Sequence, residues 1–328
     1  MKSGNVFVAI AGIASFAWAP AYATEPGGSV AQTKAGELIG ASAAMPPPGI
    51  YMFNQVFTYQ ANLAGPVTNA IGNKTGVQAS VDVQGFVFVP GWSFLGATYD
   101  AVIAQPFVQQ SIGSPLDAQA AGMHNTYIMP GELSWKLADS GFYIKTGLGI
   151  YVPDGTVNGP GGLGNIGSPY YTFQPELIAS YLKDGWNLTA ALYEEFNTAN
   201  SITGYRTGDI LHADFTATKT IGKWTFGPVA YYEGQVSNDT SSAYYGYALG
   251  TQKFNVWAAG ALIGYDFGPA NLTVWATDEL SAKASGATVV GGIDQSAVSQ
   301  GFTAFATLTY RLWGPDESPS PRKPSIYK

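Results

Sequence analysis

The chain has no cysteine. Disulfide frameworks, thiol nucleophiles and cysteine metal clusters are therefore excluded. Charge is scarce too: Asp, Glu, Lys and Arg make up 11% of the 328 residues, while 46% are hydrophobic. Soluble domains carry roughly 25% charged residues, so this composition is a poor match for a surface fully covered by water. Only two histidines occur, His124 and His212, with no metal-ligand spacing, and there is no Gly-x-Ser-x-Gly nucleophile elbow. No cofactor, no metal and no enzymatic activity are expected. The formal net charge of -7 argues against nucleic acid, which draws basic faces. Beyond residue 23, no uncharged apolar run reaches the roughly 20 residues of a spanning helix.

Aromatic residues are abundant at 14%, and there are 41 glycines. A surface that is apolar without being helical leaves a closed β-barrel as the way to satisfy the backbone in lipid. Export is expected from residues 1–23. Lys2 forms a short basic start, Val6 to Ala19 an apolar stretch, and Ala21-Tyr22-Ala23 a cleavage pattern, which makes 1–23 a signal peptide. Residues 24–47, rich in Gly, Ala and Ser, are expected to form a periplasmic segment, with a short helix over 35–44 lodged in the barrel mouth as a lumen plug. Residues 314–328 are Pro-rich and expected to be disordered.

Alternation and turn residues between 48 and 313 predict an all-β, up-and-down antiparallel barrel of about twelve strands. The strands fall at 49–64, 77–89, 92–110, 123–138, 141–152, 170–182, 186–197, 208–221, 223–236, 253–267, 270–282 and 300–313. Short connections such as Pro90-Gly91, Asp139-Ser140 and Gly268-Pro269 alternate with long ones such as 65–76, 111–122 and 153–169. Short periplasmic turns, longer outer loops and an even strand number describe bacterial outer-membrane barrels. The competing architecture is a soluble periplasmic sandwich, but its strands are normally shorter.

Within this frame the face of each side chain follows from strand parity. Trp257, Ala259, Ala261, Ile263, Tyr265 and Phe267 share one face of their strand and are expected to meet lipid. Phe302, Ala304, Ala306, Leu308, Tyr310 and Leu312 do the same in the last strand, which is similar to the closing strand of outer-membrane barrels. Barrel-assembly machinery is therefore an expected partner. Charge on a lipid face costs about 2–4 kcal/mol for Lys or Arg. Glu132, Lys136, Lys145, Glu176, Glu195, Glu233, Asp266 and Arg311 are accordingly assigned to the lumen, with His212 and Asp214, which lie two apart on one side. Tyr193, Tyr231 and Trp275 stand among them as aromatic candidates. These side chains form either a channel wall or a salt-bridged interior that only supports the barrel. His212 and Asp214 would also suit a hydrolase triad, but no pattern supplies its serine. Gly159-Pro-Gly161-Gly-Leu-Gly164 has the letters of a dinucleotide fingerprint without the strand and helix it requires, and reads as a loop. Pro175 removes a ladder bond inside a strand and is the place to look for a sideways exit, a route the sequence itself leaves open between lateral and axial.

Three stretches resemble the meta-pathway phenol degradation family of outer-membrane proteins. They are Gly149-Ile-Tyr151-Val-Pro153-Asp-Gly155 running on to Tyr171-Thr-Phe173-Gln-Pro175; Phe196-Asn197 through Thr203-Gly-Tyr205-Arg206-Thr-Gly208-Asp209 to His212-Ala-Asp214-Phe215; and Gly227-Pro-Val-Ala-Tyr231-Tyr232 with Gln235 to Asp239. The resemblance implies an outer-membrane channel for passive uptake of small hydrophobic, aromatic compounds, with outer-membrane lipid as its surroundings. Asn200, Tyr205, Arg206 and Asp209 match the family pattern and are expected to order an outer loop or line its mouth. The alternative function is a closed-lumen barrel with a structural or surface-interaction role.

Overall fold

The computed structural model describes Glu25 and residues 31–315, apart from 73, 115–116, 161–163, 248–252, 287–288, 291 and 295. The expected signal peptide, nearly all of the Pro-rich tail and the centre of the Gly159–Gly164 loop lie outside the described residues.

Twelve long strands form the barrel. They are β1 (Gly49–Ala64), β2 (Gly76–Val89), β3 (Ala97–Ile112), β4 (Thr126–Lys136), β5 (Phe142–Val152), β6 (Thr172–Lys183), β7 (Trp186–Asn197), β8 (Ile210–Ile221), β9 (Trp224–Gln235), β10 (Lys253–Asp266), β11 (Ala270–Ser285) and β12 (Val298–Trp313). Each pairs antiparallel with its neighbours in sequence, and β1 pairs with β12 from Ala64↔Val298 to Ile50↔Trp313. That last ladder closes the sheet and leaves no edge, the condition for crossing lipid with strands.

Most strand ends lie within three residues of the expected ones, and two connections differ in kind. The link after β2 is not a Pro90-Gly91 turn: Ser93-Phe94 folds back on Ala97-Thr98, so the hairpin turns at Leu95-Gly96. Residues Ala118–Met123 pair with β3 and extend the wall above β4, shortening the loop expected at 111–122. Their sequence, Ala-Gln-Ala-Ala-Gly-Met, has little large-apolar alternation and so carried little strand signal. Elsewhere the turn chemistry is local. Asp184 (φ 52) and Gly185 (φ 78) make the two-residue link from β6 to β7, the left-handed pair that suits strand twist. An α-helix, α1 (Pro66–Ile71), sits in the loop after β1.

Outward positions are apolar over most of the wall. Leu177, Leu192, Phe215, Phe226 and Ile263 are exposed there, with Trp186, Trp224 and Phe267 towards the short-turn end. The inward face divides in two. Strands β4–β9 carry polar side chains, including Glu132, Lys145, Glu176, Glu195, His212 and Asp214. Strands β10–β12 and β1–β3 carry an apolar set that includes Phe254, Val256, Leu262, Trp275, Phe305 and Phe57. Trp275 stacks on Phe305 with centroids 4.8 Å apart and planes 8° apart.

Replacing Leu192 by Arg puts a cation on the outward face near mid-strand. The substitution is expected to lower folding stability by about 2–4 kcal/mol, read from denaturant titration in lipid vesicles. A change within experimental error would contradict the assignment of that face to lipid.

Candidate functional site

Residues 32–43 lie inside the barrel, against its inner wall. Residues 35–40 form successive turns, not the helix expected over 35–44, with Glu37 N bonded to Lys34 O and Ala41 N to Leu38 O. Gly36 (φ 93) and Gly40 (φ 86) explain this: both hold left-handed backbone, which breaks a right-handed helix. A Cβ on Gly36 would also lie 3.0 Å from the Tyr231 ring, so the segment fits the wall closely.

A turned segment leaves several of its backbone N–H groups without internal partners, and the polar wall accepts them. Glu195 takes Gln32 N at 2.9 Å and Thr33 N at 2.8 Å, one on each oxygen. Asp214 does the same for Gly36 N at 2.9 Å and Leu38 N at 3.0 Å. Thr216 Oγ1 accepts Gly40 N, and Ser180 Oγ accepts Ala43 N. From the apolar side Trp275 Nε1 donates to Gly36 O at 3.1 Å. Lys34 crosses the lumen to Glu279 at 2.9 Å and also reaches Tyr231 OH. His212 is fully buried, stacked on Tyr193 at 4.6 Å, with Nε2 3.4 Å from Glu195. Glu195, His212, Asp214, Tyr231 and Glu233 therefore gather around one segment.

The other sequence candidates lie apart from this group. Lys145 bridges Glu132 at 2.7 Å and approaches Glu176 at 4.0 Å, lower on the polar wall. Arg311 has inward parity but stands at the short-turn rim, where it donates to Pro48 O and lies over the Tyr51 ring. Lys136 and Asp266 are also at that rim and exposed; Lys136 pairs with Asp139, and Asp266 caps Gly268 N. Parity was right for these three, but being near a strand end left them outside the enclosed lumen. Pro175 keeps the β6–β7 register, which runs from Phe173↔Phe196 to Glu176↔Tyr193.

Several side chains that line the lumen escaped the sequence reading. Between the segment and the apolar wall lies a cavity of about 180 Å³, lined by Phe57, Val81, Val108, Phe254, Val256 and Val298 on one side. Gln32, Lys34, His124, Tyr151 and Glu279 provide its polar side. Among the described residues, Gln32 Oε1 and His124 Nδ1 are buried with no hydrogen-bond partner. Apolar residues on both faces of β10 hid its part of this wall from an alternation argument. Lys34 and Glu279 are 245 residues apart, so no local pattern joins them.

At the long-loop end Glu25 accepts hydrogen bonds from Asn200 Nδ2, Thr203 Oγ1 and Tyr245 OH. Tyr205 donates to Asp239, Arg206 pairs with Asp209 at 2.8 Å, and Ser237 binds Asp209. Asn200, Tyr205, Arg206 and Asp209 thus lie in one loop cluster with Glu25 and Asp239. Burial pushes the Glu25 carboxyl above its ordinary value, against the lowering effect of Thr203, Asn200 and Tyr245. Asp239 is raised by burial as well.

Residues 60–293 match the family model described as putative MetA-pathway of phenol degradation. The outer membrane channel COG4313 from Pseudomonas putida F1 shares the fold with a TM-score of 0.62 at 11% identity, over 83% of this chain and 98% of that one. The translocator domain of the autotransporter NalP from Neisseria meningitidis aligns with a TM-score of 0.48 at 12% identity, over 82% of this chain and 90% of that one. No curated protein matches.

Asp214→Ala removes the acceptor of two segment N–H groups, each costing about 1–3 kcal/mol when left buried and unpaired. Amide hydrogen exchange at Gly36 and Leu38 is expected to accelerate by one to two orders of magnitude, and unchanged protection would contradict the clamp. The Glu25 contact gives a pH dependence. A carboxyl raised in the docked state holds its proton more tightly there, so docking is strongest below the ordinary value of 4.5 and weakens as pH rises through the raised value. Exchange at Asn200–Tyr205, corrected for intrinsic rates, should be faster at neutral than at acidic pH; the reverse order would overturn the sign.

Proposed function

The chain belongs to the family described as putative MetA-pathway of phenol degradation, and from that premise we propose that it is an outer-membrane channel for passive passage of small hydrophobic, aromatic compounds. The observation that carries this reading is the cavity of about 180 Å³ between the segment and the apolar lumen wall. An apolar protein cavity of about 150 Å³ accommodates benzene, so the space suits one ring with a small substituent. Phe57, Val81 and Phe254 would cover the ring. Gln32 and His124 offer unpaired polar atoms to a hydroxyl. Nothing in this role makes or breaks a bond: the wall selects and lets pass, and the protein acts as a transporter, not an enzyme. An exported chain of this kind is folded into the outer membrane by assembly machinery after its signal peptide is removed.

In this reading the segment over 31–44 is a plug that narrows the lumen and must shift for a solute to continue towards the short-turn end. The number of side chains that bind its backbone favours a second reading, a barrel that stays closed and serves as a structural or surface-interaction element. Vesicles holding the purified chain separate the two. Phenol-sized solutes are expected to enter faster than into protein-free vesicles, and Val81→Trp, which fills the cavity, should slow them by about tenfold at unchanged folding. Uptake equal to that of empty vesicles would sink the channel reading and leave the closed barrel.

A further inference from the structure

The outward face of the barrel is not uniformly apolar. Around β6–β10 its middle is Leu177, Leu192, Phe215, Ala261 and Ile263. On β1–β3 the same height carries Asn54, Thr58, Ser80, Asp82, Gln84 and Gln109. Their outward parity follows from the burial of Phe57, Tyr59 and Val83 on the other face. The ladders align them in rows: Asn54 faces Gln84, and Thr58 faces Ser80, which faces Gln109. Apolar and aromatic residues bracket these rows. Met52, Phe86 and Tyr310 stand towards the short-turn end, and Phe302 beside Gln60 towards the loops. The polar rows therefore fall where hydrocarbon meets the rest of the barrel.

Asn54 Nδ2 donates to Asp82 Oδ1 at 2.6 Å. Among the described residues the side chains of Gln84 and Gln109 bond to nothing within the chain. Unpaired amides in hydrocarbon are costly, and a carboxylate there more so. The wall is also hollow at this place. A groove of about 740 Å³ runs over Thr58, Ser80, Ala121, Ala304 and Ala306, with Phe107 at its side, 45% exposed.

We propose that this face is the interface through which two copies of the chain associate in the membrane. Amide side chains present donors and acceptors together, so a face built of them is complementary to itself, as a twofold contact requires. Asp82 needs hydrogen-bond donors, and the same amides supply them without a basic partner. The protruding Phe107 of each copy fits the groove of the other, a reciprocal contact that closes at two subunits. The apolar wall over β6–β10 offers lipid tails and a partner the same surface, and so selects neither.

The absence of cysteine makes the test direct. Thr58→Cys in the full chain is expected to form a disulfide-linked dimer under mild oxidation in membranes, while Leu192→Cys, on the opposite wall, stays monomeric. Gln84→Leu with Gln109→Leu should weaken dimerisation in detergent by about tenfold or more, read by light scattering during size exclusion. Both changes make the outward face more apolar, and heat-dependent gel mobility confirms that the barrel has folded. A monomeric wild-type chain, equal cross-linking at the two cysteine positions, or a Thr58→Cys adduct with a different protein would each overturn the proposal.

Discussion

Two carboxylates inside the barrel set the arrangement of the rest. Glu195 on β7 and Asp214 on β8 each accept two backbone N–H groups from residues 32–38. Bonds of this kind to an ionised acceptor are stronger than neutral ones, and in an enclosed lumen the donors have few other partners. They convert a segment with weak structural preference of its own into part of the barrel interior. The β7–β8 ladder sets their height: Glu195 faces Ile210 and Asp214 faces Ala191, so the two acids descend the wall in step with the descending segment.

That clamp accounts for the two halves of the lumen. Where the segment lies against β6–β9, the wall is polar because it must satisfy a backbone. Opposite, Phe57, Phe254 and Phe305 have no polar atom to satisfy, Trp275 gives its one N–H to Gly36 O, and the space left beside them is apolar on one side and polar on the other. Lys34 spans the halves, held by Glu279 and lying over the rings of Tyr59 and Tyr231 at 4.7 and 4.9 Å. A solute with one apolar face and one hydroxyl matches that division, whereas an ion meets acids from Glu37, Glu233 and Glu279 around a cation that is already paired.

Strand count, strand order and most boundaries were legible in the sequence because a period of two with short turns is a local signal. The β7 limits, Trp186 and Asn197, could be read directly between Asp184-Gly185 and the loop. Inward charges were legible for a related reason, since parity assigns them without any knowledge of the third dimension. What stayed hidden was non-local or had no contrast. Residues 31–44 are small and polar with no period, and their fold depends on acceptors more than 130 residues away, as the Ala43 to Ser180 bond illustrates. Phe254, Val256 and Ala258 point inward from a strand whose outer face is also apolar, so alternation could not separate them. His124 stands at the break between Ala118–Met123 and β4, where parity is lost.

In the proposed channel a single aromatic ring rests in the lumen beside the segment, against the apolar wall. A crystal structure grown with a bromine-substituted phenol tests it most directly, because the halogen's anomalous signal marks the site independently of model phases. One peak is expected between Phe57, Val81 and Phe254, with the hydroxyl towards Gln32 and His124. A signal confined to the outer surface or the loops, with the lumen cavity empty at saturating solute, would contradict it.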